Sequence, residues 1–471
     1  MSDAATARRE LWLAIAVGAL ACAVRAYYLA RLGGQYHPDE VFQYLEPAHW
    51  KIYGYGHLAW EFEKGARNYA LSGLYSHLLR AGDWLGLGRF ELHRALWCFD
   101  ALLTLFLVPA GWRLGQLLAP ARCHVAWILA LLGAVFPVFG YFSTFTLSEL
   151  HALVLATWAH VLWLDLAAEG DPRRRRLLAL SCGLLFGLAC TIRYASAVLV
   201  VVAGVDVLLS PRRRQLLWFG AGFLAPLLFI GLVDWAEWER PFGSLREYLR
   251  VNIGENYAAG HGVEPWNFYL AQLYQIFGAS SLAVGLGLLA AVAMRPRLTL
   301  AWLVPLASYS AFAHKELRFA LPLLPLLLAA AVAGLDDVLG RVSRRWPATS
   351  ARRCLTAAAG ALLLWVLGSA FWAVQGWSRG SKRGYYAAQA LVSERADASG
   401  LLVGTTTFYT GGYTLIHRNI PFEFFTWELA EHSLFNYAAI SDVNQIKSMR
   451  ARRDFELIGS SEGVYLFRRR R

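Results

Sequence analysis

Long apolar runs broken by short polar stretches occupy most of the chain, at about 11–30, 95–118, 122–142, 145–167, 177–192, 194–210, 215–235, 275–294, 298–313, 318–338 and 355–375. Each is near, or somewhat short of, the roughly 20 residues that a helix needs to cross a bilayer. About eleven transmembrane helices are expected, because only a helix can satisfy its own backbone groups in lipid. Segment 31–94 breaks the pattern. Its most apolar stretch, "YALSGLYSHLLRAGDWLGLG" (69–88), is interrupted by His77, Arg80 and Asp83 and reads as an interfacial or re-entrant helix. After residue 379 the period changes again. A helix-like "GYYAAQALVSERA" precedes the strand-like runs "LLVGTTTFYTGGYTLI", "NYAAISDV", "DFELIGSS" and "GVYLFRR", separated by turn residues. The expected architecture is an all-α polytopic membrane domain over 1–378, with 31–94 as an external loop carrying interfacial helices, and a small external α/β domain over 379–471. No repeat or low-complexity linker is evident.

Composition agrees with the lipid reading: of 471 residues, 57% are hydrophobic and only 17% charged. The net charge of +12 needs a membrane explanation before a nucleic-acid one, because much of it lies in knots between apolar runs. These are Arg8-Arg9, Arg173 to Arg176, Arg212 to Arg214, Arg295 with Arg297, Arg344-Arg345 and Arg352-Arg353. No interleaved basic and aromatic stripe suggests nucleic acid. Cys22, Cys182 and Cys190 lie inside apolar runs and no cysteines show zinc-like spacing with histidines, so neither a disulfide framework nor a metal is expected. The first apolar run could pass for a signal peptide, and "ALAC" for a lipoprotein site. It continues to about residue 30, which favours an uncleaved anchor. A monomer is expected.

Placing the basic knots on the cytosolic side fixes the parity of the remaining segments. The stretch 177–210 must cross twice and turn near Arg193. Segments 31–94, 236–270 and 314–318 and the C-terminal domain then share the external face. Only the four terminal arginines, 468 to 471, oppose this, and domains of about ninety residues translocate largely regardless of charge.

That face gathers the polar clusters. In "HPDEVFQYLEPAH" (37–49), Pro38 suits a first helical turn, and Asp39 and Glu40 follow where the helix dipole favours acids. Asp39, Gln43 and Glu46 would share a helical face, with His49 nearby. A partly desolvated carboxylate there can act as general base for a hydroxyl; a solvated helix start is the plainer alternative. "HKELRF" (314–319) carries His314, Lys315 and Arg318, which suit a phosphate clamp or an ion-pair brace for the bundle. Arg193 is either functional or a snorkelling helix end. Asn252, His261, Trp266 and Tyr269 suit a sugar, or an aromatic belt.

Taken together, "HPDEVFQYLEPAHWKIYGYGHLAWEFEKGARNYALSGLY", "IRYASA", "VNIG…HGVEPWNFYLAQLYQIFG" and "HKELRFALPLLPLL" resemble the Alg9-like mannosyltransferases, glycosyltransferase family 22, in order over roughly residues 8–340. The resemblance implies a GT-C fold and an inverting transfer of mannose from a polyprenyl phosphate carrier to a hydroxyl of a glycolipid or lipid-linked glycan. It implies no metal or other cofactor. By this match Asp39 is the base, Glu40 its neighbour, and His314, Lys315, Arg318 and Arg193 attend the donor phosphate. His37, Gln43, Glu46, His49, Trp60, Glu61 and Arg67 fall on the other motif positions around the substrate. Where the family usually has Arg-Pro-Thr, this chain has Arg193-Tyr194-Ala195. The Arg/Ala/Leu-rich composition and short loops suggest a bacterial inner-membrane member with a periplasmic site; eukaryotic relatives would sit in the endoplasmic reticulum. The rivals are a GT-C transferase of another sugar, and a lipid-linked sugar transporter or flippase, which would call for inverted repeats of broken helices.

Overall fold

A computed structural model describes residues 3–32, 37–211, 213–345, 349–378, 383–405 and 409–470. The chain forms two compact units. The first comprises Met1–Tyr28, Asp100–Ser143 and Ser148–Gly376; the second comprises Leu29–Phe99, Thr144–Leu147 and Trp377–Arg471. The loop 31–94 belongs with the C-terminal α/β fold, because side chains at 46, 49, 89 and 93 are bonded to partners beyond residue 385.

Among the described residues, nine helices are long and apolar enough to span a membrane: Ala7–Arg31, Arg89–Leu118, Cys123–Phe142, Ser148–Ala168, Pro172–Ile192, Arg213–Trp238, Phe268–Met294, Leu317–Arg344 and Arg353–Trp377. The other two expected spans are the shorter helices Tyr194–Leu209 and Pro296–Ala311. Helix Pro172–Ile192 ends where expected, without the family's proline. Arg193 is extended (φ −145°) and a single 3-10 turn, Tyr194–Ser196, restarts the chain. Close backbone packing uses small residues: a Cβ on Gly183 or Gly187 would lie 2.0 or 2.5 Å from the carbonyls of Phe219 and Phe223. Arg25, 3% exposed, donates to Thr104 Oγ1 and to the carbonyls of Gly133 and Ala134, so this buried charge ties the first helix into its unit.

Two sets of polar contacts join helix ends in this unit. One joins the helix ends that parity places in the cytosol: Arg122 with Asp336 and Asp337, Arg295 with Asp337 and the Leu118 carbonyl, Arg297 with Asp206, and Arg113 with Asp165. The other joins the ends that parity places outside: Arg193 with Glu149, Arg318 with Glu149, and Tyr309 with the Ala195 carbonyl.

In the second unit, the stretch 69–88 contains helix Ala70–Trp84, which is amphipathic: it buries Leu71, Tyr75 and Leu79 while Trp84 stays 86% exposed. The five-stranded sheet comprises β1 (Leu401–Val403), β2 (Phe422–Phe424), β3 (Tyr437–Ile440), β4 (Phe455–Ser461) and β5 (Val464–Arg469), in the order β2-β1-β3-β5-β4. β1 pairs parallel with β2 and β3, and β5 pairs antiparallel with β3 and β4. Alternation sends Leu401, Val403, Tyr437 and Leu466 to one apolar core and Leu402, Ala438, Ile440 and Phe467 to the other. The long run expected to be a strand at 401–416 is instead β1 followed by helix Gly412–Ile416, and β2 falls outside the expected strands. The arginine tail is neutralised locally. Arg468 pairs with Asp397 at 2.6 Å, Arg469 with Asp454 at 3.0 Å and Arg470 with Glu456 at 4.0 Å.

Candidate functional site

Each unit carries a polar cluster. In the second, Pro38 opens a helical segment that passes into a π-helix, Glu40–Leu45, before Glu46–Tyr53 resumes the α form. The i→i+5 pattern widens each turn, so Glu46 does not fall on the face of Asp39 and Gln43, as an unbroken α-helix would place it.

Asp39 is about one-fifth exposed; its backbone N–H donates to His37 Nδ1 at 3.2 Å. The same His37 nitrogen lies 3.5 Å from the Asp39 carboxylate. Glu40 is buried and accepts the His37 N–H at 2.8 Å, so its carboxylate secures the helix start. Gln43 Nε2 donates to Glu61 at 2.6 Å, and Arg67 stands 3.8 Å from the same carboxylate while donating to Tyr44. Burial raises the Glu61 pKa, Arg67 offsets part of this, and the Asp39 charge adds to it. Trp60 lies beneath the Lys64 ammonium. Asp39, Gln43, Glu61 and Arg67 thus form one acid-centred cluster.

Glu46 and His49, expected at the substrate, are fully buried against residues 410–417. Glu46 accepts from Thr414 N and Oγ1, both at 2.7 Å, and from His57 N at 2.9 Å. Gly412 (φ +61°) and Gly56 (φ +135°) close around it; a Cβ there would meet its oxygens at 2.6 and 3.0 Å. Burial pushes the Glu46 pKa up to about 7 despite those donors. His49 Nε2 meets His417 Nδ1 at 3.1 Å, and Arg89 donates to His417 Nε2 at 2.7 Å. Arg89 can only donate, so His417 carries its proton on Nδ1 and passes it toward His49, which in turn donates to the Tyr55 carbonyl. Burial holds both histidines near pKa 4. Through these bonds Glu46 and His49 brace the second unit internally.

In the first unit, the segment after helix Pro296–Ala311 carries the cations. Lys315 (5% exposed) donates to the Glu264 carbonyl at 2.7 Å. Arg318 (4% exposed) reaches Glu316 through Nε at 2.8 Å and Nη2 at 3.1 Å, and its Nε lies 3.6 Å from Glu149. Arg193 bonds the same Glu149 oxygen at 2.8 Å and lies over the Phe319 ring, as Arg318 does. His314 sits between two acceptors, the Gly262 carbonyl (Nδ1, 3.0 Å) and the Glu316 carboxylate (Nε2, 3.1 Å). Its pKa is raised, chiefly by Glu316. A narrow apolar cleft adjoins the segment, lined by Tyr269, Leu273, Leu306, Leu317, Ala320 and Leu324 among others.

The four loop residues expected to bind sugar are dispersed. Tyr269 is buried at the cleft, Trp266 is 73% exposed, Asn252 donates to the Tyr248 carbonyl, and His261 packs on Tyr257 and His314. Their sequence proximity lies in a loop whose backbone turns through π and 3-10 segments, so the side chains diverge. Sequence reasoning passed over Glu149, although a glutamate opening an apolar span is itself a signal. It also passed over Thr414 and His417, which no local pattern marks.

Residues 18–376 match the Alg9-like mannosyltransferase family. GPI mannosyltransferase 3 of Yarrowia lipolytica is 28% identical over 321 residues, 66% of this chain and 60% of the relative. GPI alpha-1,2-mannosyltransferase 3 of Mus musculus is 26% identical over 299 residues, 61% and 53%. These matches span about 60% or less of the relatives' length. Among solved structures, ArnT from Cupriavidus metallidurans in the apo state superposes with a TM-score of 0.60 at 14% identity, covering 99% of this chain and 98% of that one. The same protein bound to undecaprenyl phosphate gives 0.54 at 14% identity, over 96% and 97%. At that identity the likeness is one of fold, the GT-C fold of a multi-pass membrane protein.

Proposed function

Because the chain belongs to the Alg9-like mannosyltransferase family, we propose that it transfers mannose, with inversion, from a polyprenyl phosphate carrier to a hydroxyl of a glycolipid or lipid-linked glycan on the non-cytosolic face. The observation that carries this reading is the pairing of cations with an apolar cleft: Arg193, Lys315 and Arg318 cluster beside the space lined by Tyr269, Leu317 and Ala320. A phosphate with a long hydrocarbon tail matches that combination.

In the proposed reaction, Asp39 accepts the proton of the acceptor hydroxyl as its oxygen attacks the anomeric carbon opposite the phosphate. The carbon–oxygen bond to the carrier breaks, its electrons stay with the departing phosphate, and the cationic cluster stabilises that charge. Such preorganised electrostatics is usually the largest catalytic contribution, and a positioned base typically adds ~10²- to 10⁴-fold. Asp39 suits the role better than Glu40, whose carboxylate is buried and engaged at the helix start. Gln43, Glu61 and Arg67 would position the acceptor beside it. A periplasmic site in a bacterial inner membrane follows from the parity of the basic knots and the composition.

Radiolabelled polyprenyl-phosphate-mannose supplied to membranes tests this. Asp39→Asn should lower transfer by at least ~10²-fold, leaving carrier binding in place; near-normal turnover would remove Asp39 from the mechanism. A solved structure of similar fold is named an arabinofuranosyltransferase, so a different sugar is the alternative, and efficient use of another labelled donor in place of mannose would favour it.

A further inference from the structure

Within the cationic cluster the two acids are not equivalent. Glu149 is buried and accepts from Arg193, with Ser148 Oγ donating to its other oxygen at 3.2 Å. Moving it would strand a buried charge among buried arginines. Glu316 has a side chain about one-quarter exposed, at the start of the 3-10 segment Leu317–Leu323. It receives Arg318 Nε, Arg318 Nη2 and His314 Nε2, three donors converging on one carboxylate.

We propose that Glu316 is a place-holder for the carrier phosphate: its carboxylate occupies the donors of Arg318 and His314 when no substrate is bound and swings to solvent when a phosphate takes them over. The inference rests on the proposed function and goes beyond it by naming the group that competes with the donor. Three charge-assisted donors match the oxygens of a phosphate better than the two of a carboxylate. Retreat costs Glu316 little, because its side chain already reaches water, whereas Glu149 stays as the fixed counter-ion that keeps Arg193 and Arg318 in place. The local charges support an exchange. Arg193, Arg318 and His314 share two acids, Glu149 and Glu316, with Lys315 a further cation on the same segment, so an anion is welcome. An anion entering beside Glu316, without displacing it, would meet a like charge.

The test uses the purified full chain in detergent and undecaprenyl phosphate as probe, with undecaprenol as the control lacking phosphate. Glu316→Gln and Glu316→Ala should each bind the phosphate roughly three- to tenfold more tightly than the wild type, the range expected when a partly exposed charge pair no longer competes. Undecaprenol binding should not change. Arg318→Ala should weaken phosphate binding in parallel. If Arg318→Ala weakens binding but both Glu316 variants bind no more tightly than wild type, the place-holder is overturned while the clamp stands. If Arg318→Ala has no effect, the proposed phosphate site itself fails.

Discussion

Asp39 and Glu40 are adjacent carboxylates whose environments differ because a single histidine contacts both. The ring of His37 accepts the Asp39 N–H, and its backbone N–H is held by Glu40. His37→Ala should therefore misplace both acids, lowering transfer while leaving the cationic cluster intact, as read by unchanged binding of undecaprenyl phosphate. Glu46 gives a prediction of stability against pH. Its folded pKa of about 7 lies above the ordinary value of 4.5. The cost of its buried charge is therefore absent below about pH 4.5 and grows until about pH 7. For His49 and His417, lowered from 6.5 to about 4, the cost instead appears as pH falls from 6.5 toward 4. Glu46→Gln removes only the first contribution. Its stability relative to wild type should climb by up to about 3 kcal/mol between pH 4.5 and 7, because only the wild type must then ionise a buried carboxyl. Unfolding midpoints across that range check it, and a pH-independent difference would refute a buried ionising Glu46.

At the scale of elements, backbone irregularities decide which side chains meet. The π-turn at 40–45 sends Gln43 to Glu61 and Glu46 to Thr414. The extended residue at Arg193 breaks the helix that a proline would otherwise break and leaves its guanidinium at Glu149. Helix pairing relies on glycines where no side chain fits. Gly187→Leu must push against the Phe223 carbonyl and should cost at least ~3 kcal/mol or prevent folding. Gly220→Ala, with open space around its added methyl, should be neutral or mildly stabilising. Thermal melting of the two variants in detergent separates these outcomes.

For the whole molecule, the parity of the basic knots yields a labelling pattern. In a background lacking the six native cysteines, an impermeant thiol reagent should reach Lys64→Cys, Val263→Cys and Lys447→Cys from the non-cytosolic side and leave Arg173→Cys unlabelled. All four positions are exposed. Labelling of position 173 together with 263 would break the proposed topology.

The sequence alone determined the elements and the chemistry on offer. A run of some twenty apolar residues has few alternatives in lipid, so all eleven expected spans fall on helices, and the basic knots and acidic motifs are legible as composition. The polar residues His77, Arg80 and Asp83 set the stretch 69–88 apart from the spans, and helix Ala70–Trp84 forms there. Tertiary structure decided which polar groups are used as structure and which remain for chemistry. Glu46 and His49 look like Asp39 and His37 in the motif, yet their partners lie some 368 residues away, and no local pattern encodes such a contact. Glu149 became the shared counter-ion of Arg193 and Arg318 in the same way: a buried charge must find its opposite in space, and spacing along the chain does not say where that will be.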